Sequence, residues 1–165
     1  MSRILTVGAA QTGPIQETDS RSEVVERLMK LLRDGSQAGC DLVVFPELAL
    51  TTFFPRWYVD DKKEFDHYFE KEMPNPETKP LFDEAKRLGV GFHLGYAELT
   101  PKGEHFNTSV LVDKAGDIIA HYRKVHLPGH EEHEPWRAFQ HLERYYFDPG
   151  PGFEVHAAFG GIMGM

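Results

Sequence analysis

Residues 42–45, Leu-Val-Val-Phe, form a short uninterrupted apolar run that is stopped by Pro46 and followed at once by Glu47. An apolar run of this length without alternation fits a strand covered on both faces, and proline cannot continue a ladder. The stretch from Leu42 to Trp57, LVVFPELALTTFFPRW, thus sets a carboxylate at the end of a core strand. A charge there is costly unless it is paired, whereas a general base gains from a dry, fixed position near the strand ends of an α/β sheet. Carboxylates also end strands as plain salt-bridged or rim groups, so both readings of Glu47 stand on this stretch alone.

The flanking pattern is β-α-β. Ile4 to Ala10 is small and apolar enough for an interior strand beside the one ending at Phe45, and Gln11 to Glu17 is a turn-rich loop. Asp19 or Ser20 can cap a helix in which Val24, Val25, Leu28, Met29, Leu31 and Leu32 recur at helical spacing before Gly35 to Gly39 end it. Such a unit implies parallel strands and a right-handed crossover, with the apolar stripe on the sheet rather than on a partner.

The polar segment Asp60 to Glu72 predicts a short surface helix, and Met73 to Pro76 is a breaker cluster. Glu77 to Leu88 predicts a second helix stopped by Gly89, and Val90 to Glu98 the next strand. Then the period changes. Phe106 to Val112 and Ile118 to Tyr122 are strand-like runs separated by a Gly-containing loop, which predicts a hairpin and a mixed sheet. His126 to Gly152 predicts an ordered surface loop with one helical turn around Gln140 to Arg144, its order favoured by Trp136, Phe139, Tyr145, Tyr146 and Phe147. Phe153 to Phe159 reads as a further strand.

With 165 residues, 41% hydrophobic and 27% charged, the chain suits one globular domain with a real core. Eighteen Lys and Arg against 26 Asp and Glu give a net charge of −8, and no basic block occurs, which argues against nucleic acid or an anionic membrane as partner. The opening MSRILTVGAAQTG lacks the marks of a secretory signal, so a cytoplasmic location is expected. Cys40 is the only cysteine, which rules out disulfides within the chain and cysteine-based zinc sites built from it alone.

Lys124, in HYRKVHLPGH, follows the strand Ile118 to Tyr122 and borders the long loop, a position like that of Glu47. An ammonium there can pair with carboxylates and stabilise developing negative charge, or it can be an ordinary solvated lysine. Glu143, in FQHLERYYFDPG, reads by itself as an exposed helical glutamate. If these strand ends and loops meet, the three side chains form a carboxylate, ammonium, carboxylate cluster that sets a base beside an electrophilic cation. His126, His130 and His133 lie among acidic residues, but Pro128 and Gly129 break the helix that the i, i+4 pair of a metal motif needs, so a solvated loop and no metal are expected. Cys40 sits at the entry end of the core strand, roughly 17 Å from the end where Glu47 emerges, and reads as a bystander.

Five stretches taken together, FPELALTTFFPRW, GYAE at 95–98, FNTSVLVDKAG at 106–116, YRKVHLPGH and FQHLERYYFDPG, resemble the nitrilase (carbon-nitrogen hydrolase) superfamily, and within it the N-carbamoyl-D-amino-acid amidohydrolases. The resemblance runs from Ile4 onward. It implies an α/β fold, the N-terminal portion of a four-layer α-β-β-α sandwich with a mixed sheet, paired with further copies as a homodimer or homotetramer. It also implies a Glu-Lys-Cys triad that acts on a small N-carbamoyl amino acid with no cofactor. On these motifs Glu47 matches the general base, Lys124 the cation that stabilises the tetrahedral intermediate, and Glu143 an additional glutamate that positions the site. His126 and His141 match histidines near the substrate. The family nucleophile follows a Met-Gly-Met sequence, which here is Met163, Gly164 and Met165. The expectation is therefore a chain truncated before its nucleophile, inactive and prone to aggregate, from an enzyme hydrolysing N-carbamoyl-D-amino acids. The alternatives are another amide, nitrile or ureido acid as substrate, or a non-catalytic structural partner.

Overall fold

The computed structural model describes residues 4–165, and its sheet is built outward from the LVVF run. Strand β2 (Leu42–Val44) lies parallel to β1 (Val7–Ala9) on one side and to β3 (Gly91–Leu99) on the other, with Val43 opposite both Gly8 and Phe92. Phe45 carries the pairing one residue past β2, its N–H donating to His93 O at 3.0 Å. The first strand is shorter than the expected Ile4 to Ala10, and at this sheet edge Ile4 and Val7 stay exposed. Strand β3 runs antiparallel to β4 (His105–Val112), and β4 antiparallel to β5 (Ile118–Arg123), which gives the order β1-β2-β3-β4-β5. The change from crossovers to a hairpin makes the sheet mixed, as the period change predicts.

Helix α1 (Arg21–Gln37) is started by Ser20. Its Oγ accepts from Glu23 N–H at 3.3 Å while Glu23 Oε2 accepts from Ser20 N–H at 2.8 Å, a reciprocal capping box. The buried stripe Val24, Val25, Leu28 and Leu32 faces inward, and three of these four join Leu81, Phe82 and Ala85 of α2 (Lys79–Leu88) over Val43, Phe45, Phe92, Leu94, Val110 and Val112. Helix α2 starts two residues later than expected. The reason is Asn75, whose Oδ1 accepts from the N–H groups of Glu77 and Thr78 at 3.0 and 2.9 Å and holds that segment as a turn. Gly89, at φ 66°, closes the helix in the left-handed conformation.

The opposite face of the sheet carries a second hairpin, β6 (Val155–Ala158) with β7 (Gly161–Gly164), turned by Phe159 and Gly160 at φ 48° and 73°. Only its first strand is expected from the sequence. Ala158 packs with Leu42, Leu111 and Ala120, so the layers run helices, five-stranded sheet, hairpin.

A separate aromatic cluster forms around Phe54, which is fully buried and contacts Tyr68 (stacked, 5.0 Å), Phe69 (5.3 Å), Tyr146 (5.5 Å), Phe65 and Phe147 (both 5.8 Å). The Asp60 to Glu72 segment contributes the expected short surface helix, as a 3₁₀ helix over Lys62–Tyr68. Its far end is pinned to β3, with Glu70 N–H donating to Ala97 O at 2.8 Å and Leu99 N–H to Glu70 O at 2.9 Å. Because five rings depend on one, Phe54→Ala is expected to cost about 3–5 kcal/mol. Guanidinium unfolding followed by tryptophan fluorescence measures it, and a cost under about 1 kcal/mol would show that the cluster collapses without strain.

Candidate active site

Lys124 directly follows β5, and its N–H donates to Asn107 O at 2.8 Å, so the β4–β5 register sets it beside Asn107. Its Nζ donates to Glu47 Oε1 at 2.5 Å and to Glu143 Oε2 at 2.9 Å. The three residues singled out in the sequence therefore meet, across 77 and 19 residues of chain.

Glu47 is placed by the backbone around it. Leu48 adopts a left-handed conformation at φ 48°, and Ala49 N–H donates to Gly95 O at 2.8 Å. A Cβ on Gly95 would lie 3.0 Å from both Glu47 Cα and Leu48 N, so β3 needs glycine there for the turn to rest on it. The carboxylate is fixed but not dry: its side chain is 48% exposed, because it opens onto a cavity.

Glu143 behaves oppositely. It begins the one-turn α3 (Glu143–Tyr146), slightly later than the expected turn, and its side chain is only 2% exposed rather than solvent-facing. The cause is how the 126–152 segment is stitched to the residues after Glu47. Gln140 N–H donates to Arg56 O at 3.2 Å, Leu142 N–H to Pro55 O at 2.9 Å and Tyr146 Oη to Trp57 O at 2.8 Å, while Leu142, Tyr146 and Phe147 enter the Phe54 cluster. Glu143 Oε1 lies 3.1 Å from His141 Nε2.

Asn107, 5% exposed, belongs to the same cluster without standing out in the sequence. Its Nδ2 donates to Glu47 Oε1 at 2.7 Å and, more weakly, to Glu143 Oε2 at 3.4 Å. The available signal was a polar residue at a sheet-interior position within the FNTSV motif. Behind the site, Glu98 accepts from Arg123 Nε (2.8 Å) and Nη2 (2.6 Å) and from Thr108 Oγ1 (2.7 Å), tying β3, β4 and β5 together. Burial works to raise the Glu98 carboxyl, but the hydrogen bonds from His121, Arg123 and Thr108 hold it well below the usual carboxylate range.

A cavity of about 340 Å³ is lined by Glu47, Lys124, Asn107, His126, His93 and Met165, among others. His126 thus faces the cavity, whereas His141 reaches the site only through Glu143. Burial pulls the His93 imidazole below its ordinary pKa. For Lys124, burial also acts to lower the pKa, but the hydrogen bonds and charges of Glu143 and Glu47 outweigh it and raise the ammonium above its ordinary value. The cluster presents an ammonium locked between two carboxylates, one buried and fully occupied, one open to the cavity.

Cys40 lies at the start of β2, against Gly8 and away from Glu47. His133 stacks on Tyr58 at 4.0 Å, and His130 contacts Glu132 O and His141 N–H. Among the described residues no group of three or more His, Cys, Asp and Glu converges to hold a metal, and no helix is long and apolar enough to cross a membrane.

The carbon-nitrogen hydrolase family profile matches residues 6–165. The chain belongs to this family. It is 27% identical over 155 residues to N-carbamoylputrescine amidase of Solanum tuberosum, covering 93% of this chain and 47% of that protein. Among solved structures it is similar to the carbon-nitrogen hydrolase of Helicobacter pylori G27, with a TM-score of 0.71 and 26% identity over 95% of this chain and 49% of that one. Saccharomyces cerevisiae Nit3, a member of branch 10 of the nitrilase superfamily, shares the fold with a TM-score of 0.73 at 19% identity, over 97% of this chain and 54% of that one. The chain spans about half the length of these relatives.

Lys124→Met leaves Glu143 buried without its cation, and breaking such a pair is expected to cost about 3–5 kcal/mol near neutral pH. With its folded pKa raised, Lys124 contributes its full stabilisation below the ordinary lysine value of 10.5 and loses it as pH rises through the folded value. Urea unfolding of both proteins across alkaline pH is expected to show the gap between them narrowing only at that end. A gap independent of pH would exclude the ion pair as its source.

Proposed function

We propose that the whole protein hydrolyses the carbamoyl amide bond of N-carbamoyl-D-amino acids, releasing the D-amino acid, ammonia and carbon dioxide, with residues 1–165 as part of a single carbon-nitrogen hydrolase domain. One observation supports the catalytic part of this reading: Lys124 Nζ reaches Glu47 Oε1 and Glu143 Oε2 together. Glu47 acts as the general base, taking the proton of a cysteine thiol at its cavity-facing oxygen. The thiolate attacks the carbamoyl carbon, and the oxyanion that forms is held by the Lys124 ammonium. Collapse breaks the bond to the amino nitrogen, which leaves with the proton from Glu47. Water, deprotonated by the same carboxylate, then hydrolyses the carbamoyl thioester to a free thiol and carbamate, which decomposes to ammonia and carbon dioxide. Glu143 fixes Lys124, His141 supports Glu143, and His126 contacts substrate.

Cys40 lies at the other end of β2, against Gly8, which supports assigning the thiol to a residue outside these 165. Met165, which lines the cavity, supports the approach of that segment. The substrate is a small molecule, needing no metal or organic cofactor, and the whole protein works in the cytoplasm as a homodimer or homotetramer. A second reading, an N-carbamoyl amine without a carboxylate, is favoured by one detail: among the described residues lining the cavity Lys124 is the one Lys or Arg, and it is already held by two carboxylates. The name of the potato relative agrees with it.

Ammonia release by the full-length protein from N-carbamoyl-D-phenylalanine, its L enantiomer and N-carbamoylputrescine decides between them, with the D compound expected fastest. Glu47→Gln and Lys124→Ala are each expected to lower kcat by about 10²-fold or more. The 165-residue chain alone is expected to release none, and measurable turnover by it would overturn the assignment of the nucleophile.

A further inference from the structure

The two carboxylates of the site are chemically alike, yet only one is to accept a proton, and Asn107 distinguishes them. On Glu143 both oxygens are occupied: Oε1 by His141 at 3.1 Å and Oε2 by Lys124 at 2.9 Å, with Asn107 Nδ2 at 3.4 Å. On Glu47, Lys124 Nζ (2.5 Å) and Asn107 Nδ2 (2.7 Å) both converge on Oε1. No group among the described residues donates to Glu47 Oε2. A carboxylate held at one oxygen by a single flexible ammonium is free to swing about that contact. Two donors from different directions, one of them an amide whose backbone belongs to a central strand, fix the plane of the group as well.

We infer that Asn107 is a positioning residue that holds Glu47 Oε1 so that Oε2 alone faces the cavity as the proton acceptor. The inference rests on the reading of Glu47 as the base. Three features suit Asn107 to the task. It is 5% exposed, so water does not readily replace its amide. Its main chain is fixed on both sides, with Ala97 of β3 opposite it and Lys124 N–H donating to its carbonyl at 2.8 Å. Its amide also spans the gap between both carboxylates, so it relieves repulsion between Glu47 and Glu143 that Lys124 alone must otherwise balance. An aspartate of the same shape would instead add a third negative charge, and a leucine of similar volume would leave Oε1 with one donor.

The test uses the full-length protein, with kcat, KM and the pH dependence of kcat measured on the fastest substrate of the panel above for Asn107→Leu and Asn107→Asp. Gel filtration and near-ultraviolet circular dichroism identify the folded variants; if Asn107→Leu fails to fold, the isosteric Asn107→Asp carries the test. The expected result is a fall in kcat of about 10-fold or more with KM within about twofold, and an acid limb moved to higher pH, further for Asn107→Asp than for Asn107→Leu. A lowered kcat with an unmoved acid limb would mean a merely structural role and overturn the inference. Wild-type kcat and pH profile in folded variants, with Glu47→Gln and Lys124→Ala inactive, would overturn it alone. If Glu47→Gln keeps wild-type activity, or the wild type turns over none of the panel, the reading of Glu47 as base fails and this inference falls with it.

Discussion

The Lys124 ammonium is the point at which three distant parts of the chain agree on one geometry. Glu47 hangs from the turn after β2, Glu143 from a segment bound to residues 55–57, and neither backbone touches the other through regular structure. A buried carboxylate such as Glu143 is tolerable only with its charge matched, and the cation that matches it also faces Glu47. Packing of the aromatic cluster and electrostatics of the site are therefore coupled: the rings bring Glu143 in, and the ammonium makes that burial affordable.

The sheet supplies the stiffness. Strand β3 offers Gly95 as a bare surface for the Glu47 turn, β4 offers Asn107, and Lys124 directly follows β5, so three adjacent strands each position one element of the site. The hydrogen-bonded group of Glu98, Arg123 and Thr108 fastens the same three strands together beside it. The helices on one face serve the core, while the side chains that could do chemistry share their side of the sheet with the β6–β7 hairpin.

Local physics was legible in the sequence wherever a signal and its cause sat close together. The LVVF run, a helix cap at Asp19 or Ser20, the Gly89 stop and the β4–β5 hairpin all emerge from neighbours a few residues apart. The meeting of Glu47, Lys124 and Glu143 was legible only conditionally, through resemblance, since none of those residues differs by itself from a surface charge. The burial of Glu143 and the role of Asn107 were not legible, because their partners lie 19 to 60 positions away. The β6–β7 turn escaped for another reason: Phe159 holds a left-handed conformation that bulky residues seldom adopt, so composition gave no turn signal.

The 77 residues between Glu47 and Lys124 also have a meaning in time. During synthesis at about 5–20 residues per second, Glu47 emerges roughly 4–15 s before the lysine that neutralises it. Asn107, 60 residues downstream, arrives earlier and is a neutral donor already able to reach the same oxygen. A growing chain can thus settle the carboxylate on β4 first and admit the ammonium afterwards, which shortens by 17 residues of synthesis the interval in which Glu47 has no partner in its own chain.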